Sequence, residues 1–126
     1  MTKPTSLGSR VVPALLTQNR AETLAFYRKL GFTVSRALPN QEVATWLEVR
    51  RDNVVLQFHT DSPKGTPDVP ACTGTFYFFP KSVLDLFEEL RDKVEVLWGP
   101  EVMDYGMREF GIRDPNGYYL AFAKPA

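Results

Sequence analysis

The chain has 126 residues, 44% of them hydrophobic and 24% charged, a composition that favours one folded domain with its own core over disorder. Fifteen basic and fifteen acidic side chains give a formal net charge of zero. That balance argues against nucleic acid or an anionic membrane as the main partner, since both demand a surplus of positive charge. No apolar run approaches the roughly 20 residues that span a bilayer. The opening MTKPTSLGSR has no apolar signal segment, and the single cysteine, Cys72, can form no disulfide within the chain, so a cytoplasmic protein is expected.

In chain order, the first apolar segment is RVVPALLT (10–17), which reads as a strand interrupted by Pro13. A helix follows. Asn19 with Glu22 three residues on resembles a capping box, Thr23, Phe26, Tyr27 and Leu30 form a buried stripe, and Gly31 suits the left-handed stop. Three extended stretches come next, at about 32–38, 43–50 and 53–59. TDSPKGTPDVPACTG, with Pro63, Gly65, Pro67 and Pro70, reads as a linker. Cys72 at its end reads as a small strand-edge residue rather than a nucleophile, because no histidine lies near it in sequence.

The same pattern then repeats. TGTFYFF (73–79) is a strand, Ser82 with Asp85 opens a helix, and Val83, Leu86, Phe87 and Leu90 form its stripe. Strands are expected at about 94–98, 107–113 and 118–124, the last two joined by the turn Asp114-Pro115-Asn116-Gly117. The reading is an α+β fold of two tandem βαβββ modules. Module one covers about 10–60, the linker 61–72 and module two 73–124.

Three segments carry a family resemblance. AETLAFYRKLGFTV, YGMREFGIRDPNGYYLAF and VVPALLTQN resemble the first-helix, closing-hairpin and first-strand motifs of the vicinal oxygen chelate superfamily. That group includes glyoxalase I, extradiol dioxygenases and bleomycin resistance proteins. The resemblance implies that each module curls a four-stranded mixed sheet around a concave cup, with its helix on the convex side. It also implies a homodimer, in which the first strand of the bleomycin-resistance branch can be exchanged between subunits near a proline that Pro13 matches.

Metalloenzymes of the family place ligands on the first and fourth strands of a module. The resemblance puts those positions near Val12, Gln57, Thr75 and Ala121. Catalytic transition-metal sites need about three strong donors, usually His or carboxylate. Valine and alanine offer none, and His59 is the only histidine, so no metal and no cofactor are expected. Glu48 shares a strand face with Trp46 and Arg50. It is a candidate general base if burial raises its pKa, or else an ion-pair partner of Arg50 or Arg108.

Without a metal, the cup becomes a lined binding site. Trp46, Gln57, Trp98, Tyr105, Arg108, Phe110 and Tyr119 are the candidate ligand-binding residues, with Tyr77 beside them; Tyr77 and Phe110 fit a core equally well. No catalytic residue is assigned. The expected function is metal-independent binding of an aromatic, antibiotic-like small molecule by sequestration. The alternative is a lyase, isomerase or dioxygenase of the same superfamily with an unusual site.

Overall fold

Both helices begin where a side chain caps them. In the computed structural model, which describes residues 3–8, 10–62 and 64–126, Asn19 Oδ1 accepts from the Glu22 amide at 3.0 Å and Ser82 Oγ from the Asp85 amide at 3.1 Å. Pro63, read as part of the linker, lies outside the described residues. The first module is β1 (Ala14–Leu16), α1 (Arg20–Lys29), β2 (Thr33–Leu38), β3 (Trp46–Arg51) and β4 (Val54–His59). The second is β5 (Thr75–Phe78), α2 (Val83–Leu90), β6 (Val96–Val102), β7 (Met107–Arg113) and β8 (Tyr119–Pro125). The sheets have matching orders, β1-β4-β3-β2 and β5-β8-β7-β6, each with one parallel edge pair. The expected tandem βαβββ architecture is therefore present. Among the described residues no helix is long and apolar enough to cross a membrane.

Three boundaries differ from expectation, two of them for evident local reasons. The first strand shrinks to Ala14–Leu16 because Pro13 has no amide to donate; its carbonyl instead accepts from Gln57 N at 2.9 Å. The third strand starts at Trp46 rather than 43, because Asn40 Oδ1 takes the amides of Glu42 and Val43 and holds that stretch in a turn. The sixth runs on to Val102 through two register irregularities. Cys72 sits exposed in the loop before β5, not at a strand edge.

One hydrophobic cluster serves both modules. Leu47, Val49, Leu56 and Phe58 of the first sheet share it with Phe110, Ile112, Leu120 and Phe122 of the second, and with Tyr27 and Leu90 of the helices. Strand alternation then sends the intervening residues to the opposite faces. Each sheet therefore turns one face to the shared core and the other away from it.

The turn Asp114–Gly117 clasps the modules together. Asp114 is buried. Its Oδ1 accepts from the amides of Asn116 (2.8 Å) and Tyr118 (2.9 Å), and its Oδ2 from the Tyr27 hydroxyl (2.8 Å) on α1. Asn116 reaches Thr23 Oγ1 at 3.0 Å, and the Tyr118 hydroxyl donates to the Leu16 carbonyl at 2.8 Å. Burial, and after it the Asp114 carboxylate, push the Tyr27 pKa well above its ordinary value. On the far side of the junction, Arg51 makes paired bonds to Glu89 of α2 (2.8 and 3.1 Å) while donating to the Leu30 carbonyl at 2.7 Å.

Candidate functional site: two outward cups

The outward face of the first sheet is built from alternate residues of β3 and β4. Registers Trp46↔His59, Glu48↔Gln57 and Arg50↔Val55 place these pairs side by side, opposite the core pairs Leu47↔Phe58 and Val49↔Leu56. Arg36 of β2 lies over the Trp46 ring, 5.5 Å from its centroid. Glu48 accepts from Gln57 Nε2 at 3.1 Å and from Ser35 Oγ at 2.9 Å.

These two bonds, Gln57 first, lower the Glu48 pKa from its usual 4.5. Glu48 is thus not a base raised by burial; the charges of Arg50 and Arg36 lower its pKa further, behind the two hydrogen bonds, and among the described residues no ion pair within 4.0 Å joins it to Arg50 or Arg108. A lowered pKa means that the carboxylate's stabilising bonds are fully present above the ordinary range and are lost as pH falls through the lower folded value. A carboxyl-detected NMR titration is expected to find Glu48 titrating below ordinary glutamates, and Gln57→Ala to move it back up. An unmoved midpoint would mean that Gln57 is not its main partner.

The outward face of the second sheet is aromatic around one carboxylate. Glu109 of β7 is 1% exposed and lies opposite Ala123, while Gly111 lies opposite Ala121. Glu109 Oε2 accepts from Trp98 Nε1 at 2.9 Å and from the Tyr77 hydroxyl at 3.5 Å, and the Tyr105 hydroxyl donates to Oε1. The two tyrosine hydroxyls lie 3.3 Å apart. Donation to Glu109, more than any other cause, pushes the Tyr105 pKa up. Trp98 lies flat over Gly111: a Cβ there would fall 2.0 Å from the indole. Its ring also meets Tyr119 at a centroid distance of 6.4 Å.

Five of the seven candidate ligand-binding residues stand on these outward faces, but not together. Trp46 and Gln57 belong to the first cup, and Trp98, Tyr105 and Tyr119 to the second. Phe110 lies in the core instead, fully buried, stacked on Phe122 at 4.9 Å and edge-on to Phe87 at 5.5 Å. Arg108 alternates with Glu109 and so shares the Phe110 face, at the exposed start of β7. Glu109 is the residue that sequence reasoning missed. Its signal was legible in the alternation along Arg108-Glu109-Phe110-Gly111-Ile112, where Phe110 and Ile112 claim the core face and leave Glu109 and Gly111 to the other.

Register also revises the metal positions. Gln57 is paired with Ala14, not Val12, and Ala121 with Tyr77, not Thr75. Alanine at two of these four places leaves one amide and one phenol, on different cups, which does not fit a transition-metal centre. Among the described residues no three His, Cys, Asp or Glu side chains gather as a metal-holding group.

Two open grooves lie elsewhere, along the module junction. One, of about 900 Å³, runs between Leu30, Arg51, Phe79, Glu89 and Phe122. The other, of about 530 Å³, runs between Glu22, Lys29, Lys93 and Arg113. None of the seven candidates lines either groove.

Two tandem βαβββ modules, each with one sheet face turned away from a shared core, define the class. The chain belongs to the Glyoxalase/Bleomycin resistance protein/Dioxygenase superfamily, whose family model matches residues 10–122. A bleomycin-binding protein crystallised with bleomycin has the same fold, with a TM-score of 0.73 at 18% identity over 94% of this chain and 100% of that one. The bleomycin resistance determinant encoded on transposon Tn5 gives 0.67 at 20% identity, over 94% and 98%. TioX from Micromonospora sp. ML1 gives 0.72 at 16%, over 94% and 100%. At these identities the likeness speaks for the fold. No curated protein matches the sequence.

Proposed function

We propose that this protein binds a planar aromatic, antibiotic-like small molecule and acts by withholding it rather than by transforming it. The observation that carries this reading is the pair of outward cups. The first presents Trp46 and the second Trp98 with three tyrosines, each beside a few hydrogen-bonding groups, and among the described residues neither holds the donor set of a metalloenzyme. Tyr77, Tyr105 and Tyr119 are 43%, 58% and 37% exposed, an apolar display that rings of a ligand can stack against.

Because the cups face away from one shared core, Trp46 and Trp98 of one chain cannot line one cavity. A closed site needs a second copy, with module one of one chain facing module two of the other. The proposal therefore includes a homodimer with two equivalent clefts, as the family resemblance implies, and a cytoplasmic protein that meets its ligand there.

Melting shifts across a panel of aromatic antibiotics test the reading, since a ligand that binds only the folded state raises Tm. Trp46→Ala and Trp98→Ala are expected to weaken the ligand so found by about tenfold or more while the fold is retained. Trp98→Ala should also lower Tm by several degrees, because Glu109 loses its indole donor. Affinity unchanged in both variants would place the ligand elsewhere, with the 900 Å³ junction groove first to examine. Stoichiometric nickel, zinc, iron or manganese in the purified protein would favour the superfamily's enzymes instead.

A further inference from the structure

Glu109 is a buried carboxylate without a countercharge. Among the described residues the ion pairs are Arg51 with Asp52, Arg51 with Glu89, and Arg91 with Glu88; no Lys, Arg or His nitrogen comes within 4.0 Å of Glu109. Its hydrogen bonds come only from neutral donors, the Trp98 indole and the Tyr77 and Tyr105 hydroxyls. Removing a carboxylate from water is costly, and neutral donors offset only part of that cost. A cation arriving at this place would complete the compensation.

The walls suit a cation as well. Trp98, Tyr77 and Tyr105 each donate a hydrogen bond to the carboxylate and Tyr119 packs beside Trp98 on the same outward face, and the faces of such rings attract ammonium groups. Tyr105 is the most exposed of these rings. It sits on the β6–β7 turn, more than half exposed, and its hydroxyl occupies Oε1 of Glu109. Swinging it outward frees that oxygen without disturbing the Trp98 bond to Oε2.

We infer that the second cup is a subsite for a cationic amine carried on an aromatic ligand, the ammonium taking the place of the Tyr105 hydroxyl on Glu109 while the rings enclose it. This rests on the binding-protein reading above and adds the charge of the ligand. The balanced net charge of the chain gives no hint of it, because the preference comes from one desolvated carboxylate and not from an acidic surface.

Three probes of one shape test the inference: 2-naphthylmethylammonium, the neutral 2-naphthylmethanol and the anionic 2-naphthoate, titrated by calorimetry and by tryptophan fluorescence. The ammonium is expected to bind about tenfold more tightly than the alcohol, and the naphthoate most weakly. Glu109→Gln keeps the shape and an acceptor for the indole, and should abolish the preference, read as the ratio of ammonium to alcohol affinity within the variant. Tyr105→Phe removes the competing hydroxyl and should tighten the ammonium severalfold, a readout that does not depend on the Glu109 variant folding. Equal affinity for ammonium and alcohol would overturn the inference while leaving aromatic binding intact; a guanidinium from the facing copy already seated on Glu109 would produce that result. A preference that survives Glu109→Gln would also overturn it. Failure of all three probes to bind would count against the aromatic-binding reading itself, and the inference would fall with it.

Discussion

Replacing Asp114 with alanine is expected to destabilise the protein by about 3–5 kcal/mol. The carboxylate is 3% exposed and holds two backbone amides, the Tyr27 hydroxyl and the Asn116 side chain. Bonds to a charged acceptor contribute about 1.5–3 kcal/mol each, and buried donors left without a partner cost more than bonds simply exchanged for water. The loss is not local to the turn. The Tyr27 hydroxyl belongs to the first module, so the substitution loosens the clasp between modules as well as the β7–β8 connection. Urea denaturation measures it. Asp114→Asn, which keeps one acceptor oxygen, should lose about half as much. A loss below about 1 kcal/mol for the alanine variant would mean that the turn carries little of the junction.

Phe110→Ala is expected to cost a similar amount, about 3–5 kcal/mol, as large-to-small changes in packed cores do. Phe110 has no exposed surface, and its neighbours Phe87 and Phe122 are rings that cannot collapse into the space it leaves. The decisive feature is the split between stability and binding. A core residue lowers Tm while the folded protein keeps its affinity for an aromatic ligand. A cup residue that holds no buried partner, such as Trp46, would weaken binding at nearly unchanged Tm. Thermal melts with and without a bound antibiotic separate the two, and a stable Phe110→Ala variant that no longer binds would return Phe110 to the cup.

The contrast between Phe110 and Tyr119 shows how far the sequence could be read. On β8, Leu120 and Phe122 claim the core, so Tyr119 and Ala121 had to face outward, and they do. On β7 the same alternation applies: aromatic character fits Phe110 to a cup or to the core, and strand parity with Ile112 is what places it in the core. The partners of Glu48 were another kind of miss. Gln57 lies 9 residues away and reaches it only because β3 and β4 pair in one register.

The two modules, their order and their caps are legible in the chain alone, because each signal is local: an asparagine or serine before an apolar stripe, a glycine after the first stripe, a proline-bearing turn between two strands. So is the lack of a metal-binding atom at Ala121, since that is a matter of composition at one position. Which residues share a cup depends on how the strands pair and pack. Parallel pairing set Ala14 and Tyr77 beside Gln57 and Ala121, and the common core left Trp46 and Trp98 on the outward faces of different sheets. The tertiary structure also turned Asp114 from a turn former into the clasp on Tyr27, 87 residues away. The physical reason is range: caps and turns are satisfied within a few residues, whereas register, burial and the company of a carboxylate depend on strands that meet only after the chain has folded.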